Sequence, residues 1–531
     1  MKAIENKYNY FSFFKLPQSI TIFNLSLFLL GLITGLSYHL SIYPLIATFL
    51  YLLGLSLFFN ILTRAHKNKS LAVFIFYLGY SFSALYWIGY SFSINEKSMP
   101  SLLGLKWLIL KLSFLLVPLL FSINMLIAHF FIKKKIMPNA QKFIYGMIFI
   151  FVEYLRAEFY LGGFPWALPY EFLPFELLQF VAYIGIYGLS AYMTTGVVII
   201  SICLFNDDNK IKIWPVLFFI CSFLILYFLG NQRLKSNQPS YTDTYIRLVQ
   251  PCIDQYKKRS SYYFKENIKN LFDLSNLTSD RSLDFIIWPE TAFGDFFHQN
   301  NIKFSEFLEP LDSLHVNLIF GSVRYQFNQE SNKKEKLNSM FVLNKEAEDP
   351  LIAVYDKKKL VPGPEYLPLN IKFIQKLTKG SVFFTPGLSK SYLEIPNQPI
   401  ALPLICYEVI FPNNEVSDQD WIINITNDAW FKRSQGPKQH LRIAKIRAIE
   451  TGLPLVRAAN NGVSAIIDPM GRVIQSLNTN EKGVVDGYVP EKILIEDWAK
   501  YVKKYFFPAY MALNLLLGSY LFFSRRNSLK R

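Results

Sequence analysis

Cysteine is scarce in this sequence, and the few cysteines form no ligand pattern. The 531 residues contain four of them, Cys203, Cys221, Cys252 and Cys406. They are far apart in the chain, and two of them lie inside apolar segments. Such spacing argues against a disulfide framework and against a zinc site. The sequence therefore predicts no bound metal and no cofactor.

Acidic residues are too few to balance the basic ones. There are 55 lysines and arginines against 39 aspartates and glutamates, which gives a formal net charge of +16. A charge excess of this size can indicate a nucleic-acid partner, so the positions of the basic residues decide its meaning. They concentrate at both termini and in the second, fourth and sixth connections between long apolar stretches, whereas the alternate short connections contain only Lys97.

The long apolar stretches dominate the rest of the composition. Hydrophobic residues make up 52% of the sequence, and the mean hydropathy is positive. Because about 20 apolar residues cross a bilayer, we predict eight membrane helices, near residues 19–37, 43–63, 71–93, 103–132, 142–158, 179–205, 212–230 and 505–523. The first has no cleavage site and is closely followed by the second, so we interpret it as a membrane helix and not as a signal peptide.

The distribution of basic residues also predicts the orientation of the chain. Because basic loops remain on the cytoplasmic side of a membrane, both termini are expected to be cytoplasmic. The predicted domains are a membrane domain with about seven helices at 1–230, an extracytoplasmic domain at 231–504, and a last membrane helix with a basic tail at 505–531. The basic excess is then a topology signal, and nucleic acid is not an expected partner.

From about residue 243 the sequence changes to short β-like runs, charged helices and turns, which is typical of an α/β domain. The run Leu283–Trp288 is a predicted strand, and Glu290 follows it. A carboxylate there lies at the carboxyl end of a strand, where open α/β sheets bind their ligands. Further along, Lys357 stands in a basic loop rich in proline, with Glu365 as its single acid.

A buried strand is also predicted just before Cys406, over the apolar run 401–405. A thiol at this strand end could act as a nucleophile, although a small buried hydrophobe is the commoner role of a free cysteine. The nearby acid Glu408 would by itself raise the thiol pKa. Groups from elsewhere in the chain would therefore have to activate Cys406.

The order Glu290, Lys357, Cys406 resembles the Glu-Lys-Cys triad of the nitrilase superfamily. The flanking sequences Trp-Pro-Glu-Thr-Ala, Lys-x-x-Leu-Val-Pro-x-x-Glu-Tyr and Ile-Cys-Tyr-Glu resemble the apolipoprotein N-acyltransferase family, the membrane branch of that superfamily. Further motifs fit the same family: Phe164-Pro165-Trp166, Asn427-Asp428-Ala-Trp430, Gly436-Pro-x-Gln-His440 and Arg457-Ala-Ala-Asn-Asn461-Gly462.

Two positions depart from the family pattern. Gly363-Pro364 precede Glu365 where the family has Phe-Gly, and this could change the geometry of an active-site loop. Cys252 follows Val-Gln-Pro where the family has asparagine, but it lies outside the triad.

The resemblance implies a multi-helix membrane domain joined to an α/β nitrilase-like domain with an αββα sandwich. In the chemistry we expect, Glu290 is the general base and Cys406 the nucleophile. Lys357 would stabilise the thiolate and the oxyanion of a tetrahedral intermediate. Glu365 resembles the second carboxylate of the family, which orients the lysine, and Glu408 resembles an essential acid beside the nucleophile.

Three residues are expected to contact substrate. The backbone N–H of Tyr407 is a candidate oxyanion donor, and Trp166 and Trp430 belong to two of the family motifs. His440 is expected to be a structural hydrogen-bonding group and not a ligand.

By resemblance, Cys406 takes an acyl chain from a phospholipid as a thioester. It passes the chain to the α-amino group of the N-terminal S-diacylglyceryl cysteine of an apolipoprotein, which gives mature triacylated lipoprotein. The implied partners are the phospholipid donor, the diacylglyceryl apolipoprotein and the lipid bilayer. The implied location is the bacterial inner (cytoplasmic) membrane, with the catalytic domain facing the periplasm.

Two other functions stay open on the sequence. A membrane-tethered amidase or nitrilase acting on a small C–N substrate would share the triad and differ only in substrate and acceptor. A non-catalytic membrane scaffold that binds lipoproteins would account for the helices, but it would leave three chemically matched residues at strand ends unexplained.

Overall fold

The structure is a computed structural model. It describes residues 19–40, 42–64, 68–93, 115, 118–123, 125–126, 129–130, 138–159, 163–166, 168–205, 212–293, 309–310, 316–328, 332–344, 346–362, 364–366, 383–412 and 418–528. The chain divides into two compact units, which are Met1–Leu155, Ala167–Arg233 and Trp498–Arg531 in the first and Arg156–Trp166 and Leu234–Asp497 in the second. The short stretch Arg156–Trp166 thus packs with the second unit, although it lies within the 1–230 boundary expected from the sequence.

The first unit is helical. The α-helices that the structure describes before the second unit are α1 (Ile20–Gly35), α2 (Pro44–Arg64), α3 (Lys69–Leu85), α4 (Gly89–Ser93), α5 (Pro138–Glu158), α6 (Phe175–Leu178), α7 (Val181–Cys203) and α8 (Ile213–Ser236). Among the described residues, five segments are long and apolar enough to cross a membrane: Ile20–Tyr38, Pro44–Arg64, Lys69–Ser91, Val181–Cys203 and Ile213–Ser236. The predicted span at 103–132 lies mostly outside the described residues, and those at 142–158 and 505–523 fall in helices that are not among these five.

Helices α1 and α3 pack closely because glycines line their contact. A Cβ atom at Gly31 would collide with the carbonyl oxygen of Phe76, and one at Gly79 would collide with that of Phe28. Small residues at such contacts let two helix backbones approach, which is the usual way that membrane helices associate.

The second unit contains two β-sheets with helices. Its strands are β1 (Tyr241–Gln250), β2 (Phe285–Ile287), β3 (Asn317–Asn328), β4 (Lys333–Leu343), β5 (Leu351–Asp356), β6 (Ala401–Ile405), β7 (Trp421–Thr426), β8 (Leu455–Ala459), β9 (Ser464–Ile467), β10 (Val473–Leu477) and β11 (Gly483–Pro490). One sheet has the order β11-β1-β2-β3-β4-β5 and the other the order β10-β9-β8-β7-β6. Among the described residues, the α-helices of this unit are α9 (Gln255–Arg259), α10 (Phe264–Ser275) and α11 (Gly436–Thr451), and α12 (Asp497–Ser528) follows it.

The two sheets pack face to face. A buried cluster joins Ile319 and Ile246 of the first sheet to Ile423 of the second. A second cluster covers the other face of the first sheet, where Leu271 of α10 is buried. These layers confirm the predicted αββα sandwich.

Helix α11 supplies the fourth layer. Along β8, Val456 and Ala458 belong to the core between the sheets. Because side chains alternate along a strand, Arg457 points to the opposite face, where it meets His440 of α11.

Candidate active site

The strand ends bring the predicted catalytic residues to one edge of the sandwich. Strands β2 and β3 are parallel, whereas β3–β4 and β4–β5 are antiparallel. β5 therefore runs in the same direction as β2, and both strands end at the same edge of their sheet. Glu290 lies three residues beyond β2, and Lys357 directly follows β5.

Lys357 is buried between two carboxylates. Its Nζ lies 2.9 Å from Glu365 Oε1 and 3.5 Å from Glu290 Oε1. Its side chain is 1% exposed. Burial acts to lower the Lys357 pKa, but the charges of Glu365 and Glu290 outweigh it, and the pKa is raised above its usual value. The lysine is therefore a permanent cation at the site.

Glu365 is held by its own loop as well as by the lysine. Its Oε2 accepts a 2.7 Å hydrogen bond from the Val361 backbone N–H, and its own N–H donates to the Val361 carbonyl. The loop after β5 therefore closes around Glu365, which fixes the carboxylate that faces Lys357.

Asn338 of β4 links the two carboxylates, and it is not among the site residues predicted from the sequence. Its Nδ2 lies 2.9 Å from Glu290 Oε1 and 3.3 Å from Glu365 Oε1. The backbone carbonyl oxygen of Asn338 accepts a 2.8 Å hydrogen bond from the Lys357 backbone N–H. The side chain is 2% exposed. In the sequence, Asn338 is only a polar residue within a strand, and nothing there indicates which side chains it contacts.

Cys406 directly follows β6, whose five residues are all buried. Its backbone is left-handed, with φ 51°, a conformation that is unfavourable for a non-glycine residue. Burial raises the pKa of the thiol to about 12. The negative charges of Glu290 and Asp428 add to the rise, while Lys357 and a hydrogen bond from Thr426 oppose it. The resting thiol is thus protonated, and its reaction needs a base.

The Glu408 carboxylate is occupied by backbone and side-chain donors. Oε1 accepts hydrogen bonds from the N–H groups of Lys358 and Lys359 and from the Tyr355 hydroxyl, at 2.7, 3.1 and 2.9 Å. Oε2 accepts the Ile405 N–H at 2.8 Å. Burial raises the Glu408 pKa, against the lowering effect of these bonds. Glu408 therefore ties the segment after Lys357 to the residue before Cys406.

Two of the three predicted substrate-binding residues, Tyr407 and Trp166, donate side-chain hydrogen bonds to other parts of the protein. The Tyr407 hydroxyl donates to the Gly163 carbonyl at 2.8 Å. Trp166 is 2% exposed, and its Nε1 donates to Gln439 Oε1 at 3.2 Å. Trp430 is half-buried in the 3-10 turn that follows β7. Contact of the Tyr407 backbone N–H, Trp166 and Trp430 with substrate stays a prediction.

The arrangement can perform acyl transfer. It places a protonated thiol, a carboxylate and a cation after the ends of three strands. These groups are the minimum for nucleophilic attack on an acyl group with proton transfer. Within the part of the chain that the structure describes, no group of three or more His, Cys, Asp or Glu side chains could hold a metal ion.

Two family profiles match the chain. The Carbon-nitrogen hydrolase family matches residues 246–493. The family described as Apolipoprotein N-acyltransferase N-terminal domain matches residues 34–199.

Several bacterial proteins called apolipoprotein N-acyltransferase are similar to the chain over most of its length. The protein from Rickettsia typhi is 32% identical over 489 residues, which are 88% of this chain and 92% of that protein. The protein from Rhodopseudomonas palustris is 33% identical over 81% of this chain and 82% of its own length. The protein from Allorhizobium ampelinum is 35% identical over 64% and 65%. With bacterial relatives and five apolar helices among its described residues, the chain is a bacterial membrane protein.

Proposed function

The chain belongs to the apolipoprotein N-acyltransferase family, as its motifs predicted, and on that premise we propose that it N-acylates lipoproteins through a thioester on Cys406. The acyl donor is a phospholipid. The acceptor is the α-amino group of the N-terminal S-diacylglyceryl cysteine of an apolipoprotein. The product is triacylated lipoprotein.

The first half-reaction moves the acyl chain to the enzyme. Glu290 takes the Cys406 proton as Sγ attacks the ester carbonyl carbon, because a thiol with a pKa of about 12 does not ionise unaided at neutral pH. The oxyanion of the tetrahedral intermediate faces the Lys357 ammonium and the Tyr407 N–H. When the intermediate collapses, the ester C–O bond breaks and Glu290 returns the proton to the departing oxygen, which releases lysophospholipid.

The second half-reaction passes the chain to the amine. The neutral α-amino nitrogen attacks the thioester carbonyl carbon and forms the amide bond. As the C–S bond breaks, Glu290 takes a proton from nitrogen and gives it to the sulfur of Cys406. Because the acyl chain waits on Cys406 between the two steps, the kinetics are ping-pong.

The proposal rests on one observation: the same chain has a nitrilase-like site and a set of apolar helices. Glu290, Lys357 and Cys406 each follow a strand of a nitrilase-like sandwich, and apolar helices precede them. Both proposed substrates are anchored in a bilayer, which explains a membrane part in an enzyme that acts on them, whereas an amidase for small soluble substrates has no need of one.

We further propose that the second unit faces the periplasm and that both termini are cytoplasmic. The support is the bias of basic residues toward alternate connections. This orientation gives the site access to exported lipoproteins. The domain boundaries 1–230, 231–504 and 505–531 belong to the same proposal.

Labelled phospholipid tests the function directly. Wild type incubated without acceptor should gain one fatty-acyl group, which intact mass spectrometry detects and hydroxylamine removes. A diacylated lipopeptide with a free amino terminus should then collect the label as an amide. Cys406→Ala should lose both steps, and Cys406→Ser should be essentially inactive because an alkoxide forms less readily than a thiolate.

The other cysteines are the matched controls. Cys203→Ala, Cys221→Ala and Cys252→Ser should acylate normally. Labelled lipopeptide produced by Cys406→Ala, or lysophospholipid released by wild type without a protein-bound intermediate, would reject the covalent mechanism.

A further inference from the structure

A buried polar cluster lies behind the nucleophile, and the reaction steps above do not use it. His440 of α11, Arg457 of β8 and Asp428 after β7 are each at most 1% exposed. His440 Nε2 lies 3.3 Å from the carbonyl oxygen of Cys406. The cluster therefore reaches the backbone of the nucleophile through His440.

The contacts of both ring nitrogens favour a proton on Nε2 of His440. Nδ1 lies 3.0 Å from Arg457 Nη2 and 2.9 Å from Asp428 Oδ1. Burial and the charge of Arg457 lower the His440 pKa, so the ring is neutral near pH 7. A neutral ring whose Nδ1 accepts from Arg457 has its proton on Nε2. In a protonated ring Nδ1–H donates to Asp428. In both of these forms Nε2–H donates to the Cys406 carbonyl, whereas a neutral ring with its proton on Nδ1 would set the Nε2 lone pair against that oxygen and Nδ1–H against Arg457 Nη2.

The peptide group held in this way also carries the Tyr407 N–H. In a planar trans peptide the C=O and N–H bonds point in opposite directions. A Cys406 carbonyl turned toward His440 therefore turns the Tyr407 N–H to the other side of the strand end. The left-handed φ of Cys406 is a conformation that persists only where surrounding contacts hold it.

Helix α11 makes a second contact with the same segment. Arg447 lies two helical turns after His440, on the same face of the helix. Its Nε donates to the Val409 carbonyl and its Nη2 to the Ile410 carbonyl, each at 3.2 Å. The helix therefore holds both ends of the short segment that begins with the nucleophile.

We propose that His440 is a positioning residue, which orients the Cys406–Tyr407 peptide so that the Tyr407 N–H donates to the oxyanion of the tetrahedral intermediate. His440 acts through the backbone of Cys406, whose carbonyl oxygen faces its Nε2. Arg457 and Asp428 hold its ring in place. This inference rests on the proposed acyl transfer through Cys406.

Two variants of the full-length protein separate the ring nitrogens. The amide nitrogen of His440→Gln replaces Nε2, whereas that of His440→Asn replaces Nδ1 and does not reach Cys406. With a nitrophenyl fatty ester as acyl donor, His440→Gln should acylate within about fivefold of wild type. His440→Asn should be slower by at least tenfold with an unchanged KM, since removing an oxyanion donor outright costs about 10²- to 10³-fold.

Alkylation of Cys406 by iodoacetamide is a reaction of the same thiol that passes through no oxyanion, so it serves as a second measurement. In a background of Cys203→Ala, Cys221→Ala and Cys252→Ser, both variants should be alkylated within twofold of wild type. The inference is overturned if His440→Asn acylates as fast as His440→Gln, or if its alkylation slows in step with its acylation.

Measurements on wild type keep the test independent of variant folding and of the proposed donor. Histidine ¹⁵N spectra should show the His440 proton on Nε2 at neutral pH, and a proton on Nδ1 with Nε2 bare would overturn the inference. Wild type that accepts acyl groups from the nitrophenyl ester but not from phospholipid would reject the proposed function alone.

Discussion

The ammonium nitrogen of Lys357 lies 2.9 Å from Glu365 Oε1. Its distance to Glu290 Oε1 is longer, at 3.5 Å. A short charge-assisted bond holds both partners in place, so Glu365 is placed to fix the lysine. Glu290 has the longer contact with Lys357, so its carboxylate is less tightly held and can move when it takes the thiol proton.

The two carboxylates should therefore differ when each is made neutral. Glu290→Gln should lower the single-turnover rate of thioester formation by about 10²- to 10⁴-fold, the range for loss of a general base. Glu365→Gln should have a smaller effect, because Lys357 keeps one carboxylate. Rapid-quench measurement of acyl-enzyme with labelled phospholipid checks both rates. If Glu365→Gln loses more of the rate than Glu290→Gln, then Glu365 is the base and Glu290 the carboxylate that fixes Lys357.

Glu408→Gln should weaken the fold locally and slow turnover. One carboxylate oxygen becomes an NH₂ group that faces a backbone N–H, so a buried donor loses its acceptor at a cost of about 1–3 kcal/mol. Thermal unfolding and steady-state turnover check the two effects. Tyr355→Phe is the matched control, because it removes one of the four hydrogen bonds and leaves the backbone contacts. Equal losses in both variants would contradict the clamping role of Glu408.

The Cys406 thiol should react more slowly than a free thiol and over a higher pH range. Its pKa is raised to about 12, chiefly by burial, so the thiolate fraction keeps rising with pH where free cysteine, with a pKa near 8.5, has levelled off. In a variant lacking the other three cysteines, the logarithm of the iodoacetamide rate should increase with unit slope from pH 7 through pH 9.5. Lys357→Met should reduce the rate further, because it removes the charge that lowers this pKa. A plateau near pH 8.5 would show an unperturbed thiol.

Asn338→Asp should impair acylation although its shape is conserved. It replaces the donor between Glu290 and Glu365 with a third carboxylate, and like charges at this distance repel. We expect at least a 100-fold loss in the rate of thioester formation. Asn344→Asp, just beyond the end of the same strand, is the control and should stay within about threefold. Near-normal acylation by Asn338→Asp would show that the bridge is dispensable.

The proposed orientation can be checked with two engineered cysteines in a cysteine-free background. Leu388 is 98% exposed in the second unit, and Asn68 is exposed before α3. A membrane-impermeant maleimide added to intact spheroplasts should label Leu388→Cys, and it should label Asn68→Cys only after lysis. The reverse pattern would contradict the orientation inferred from the basic residues.

The sequence by itself determined the class of the protein and predicted which groups react. Apolar stretches of membrane length are a one-dimensional property, and so is the placing of Glu290 and Cys406 after short apolar runs and of Lys357 in a basic, proline-rich loop. Since parallel strands end at a common edge, a strand followed by a polar residue already predicts that such residues meet. The flanking motifs then identified the family before any contact was known.

Only the tertiary structure decided which residues support these three. Asn338 joins the site because β4 is antiparallel to both of its neighbours, and strand pairing depends on register that the sequence does not display. Glu408 resembled a catalytic acid next to Cys406, yet its carboxylate is bound by N–H groups about fifty residues away. The role of His440 likewise depends on a helix packing against a distant strand end. These contacts arise from packing between segments far apart in the chain, which no local pattern encodes.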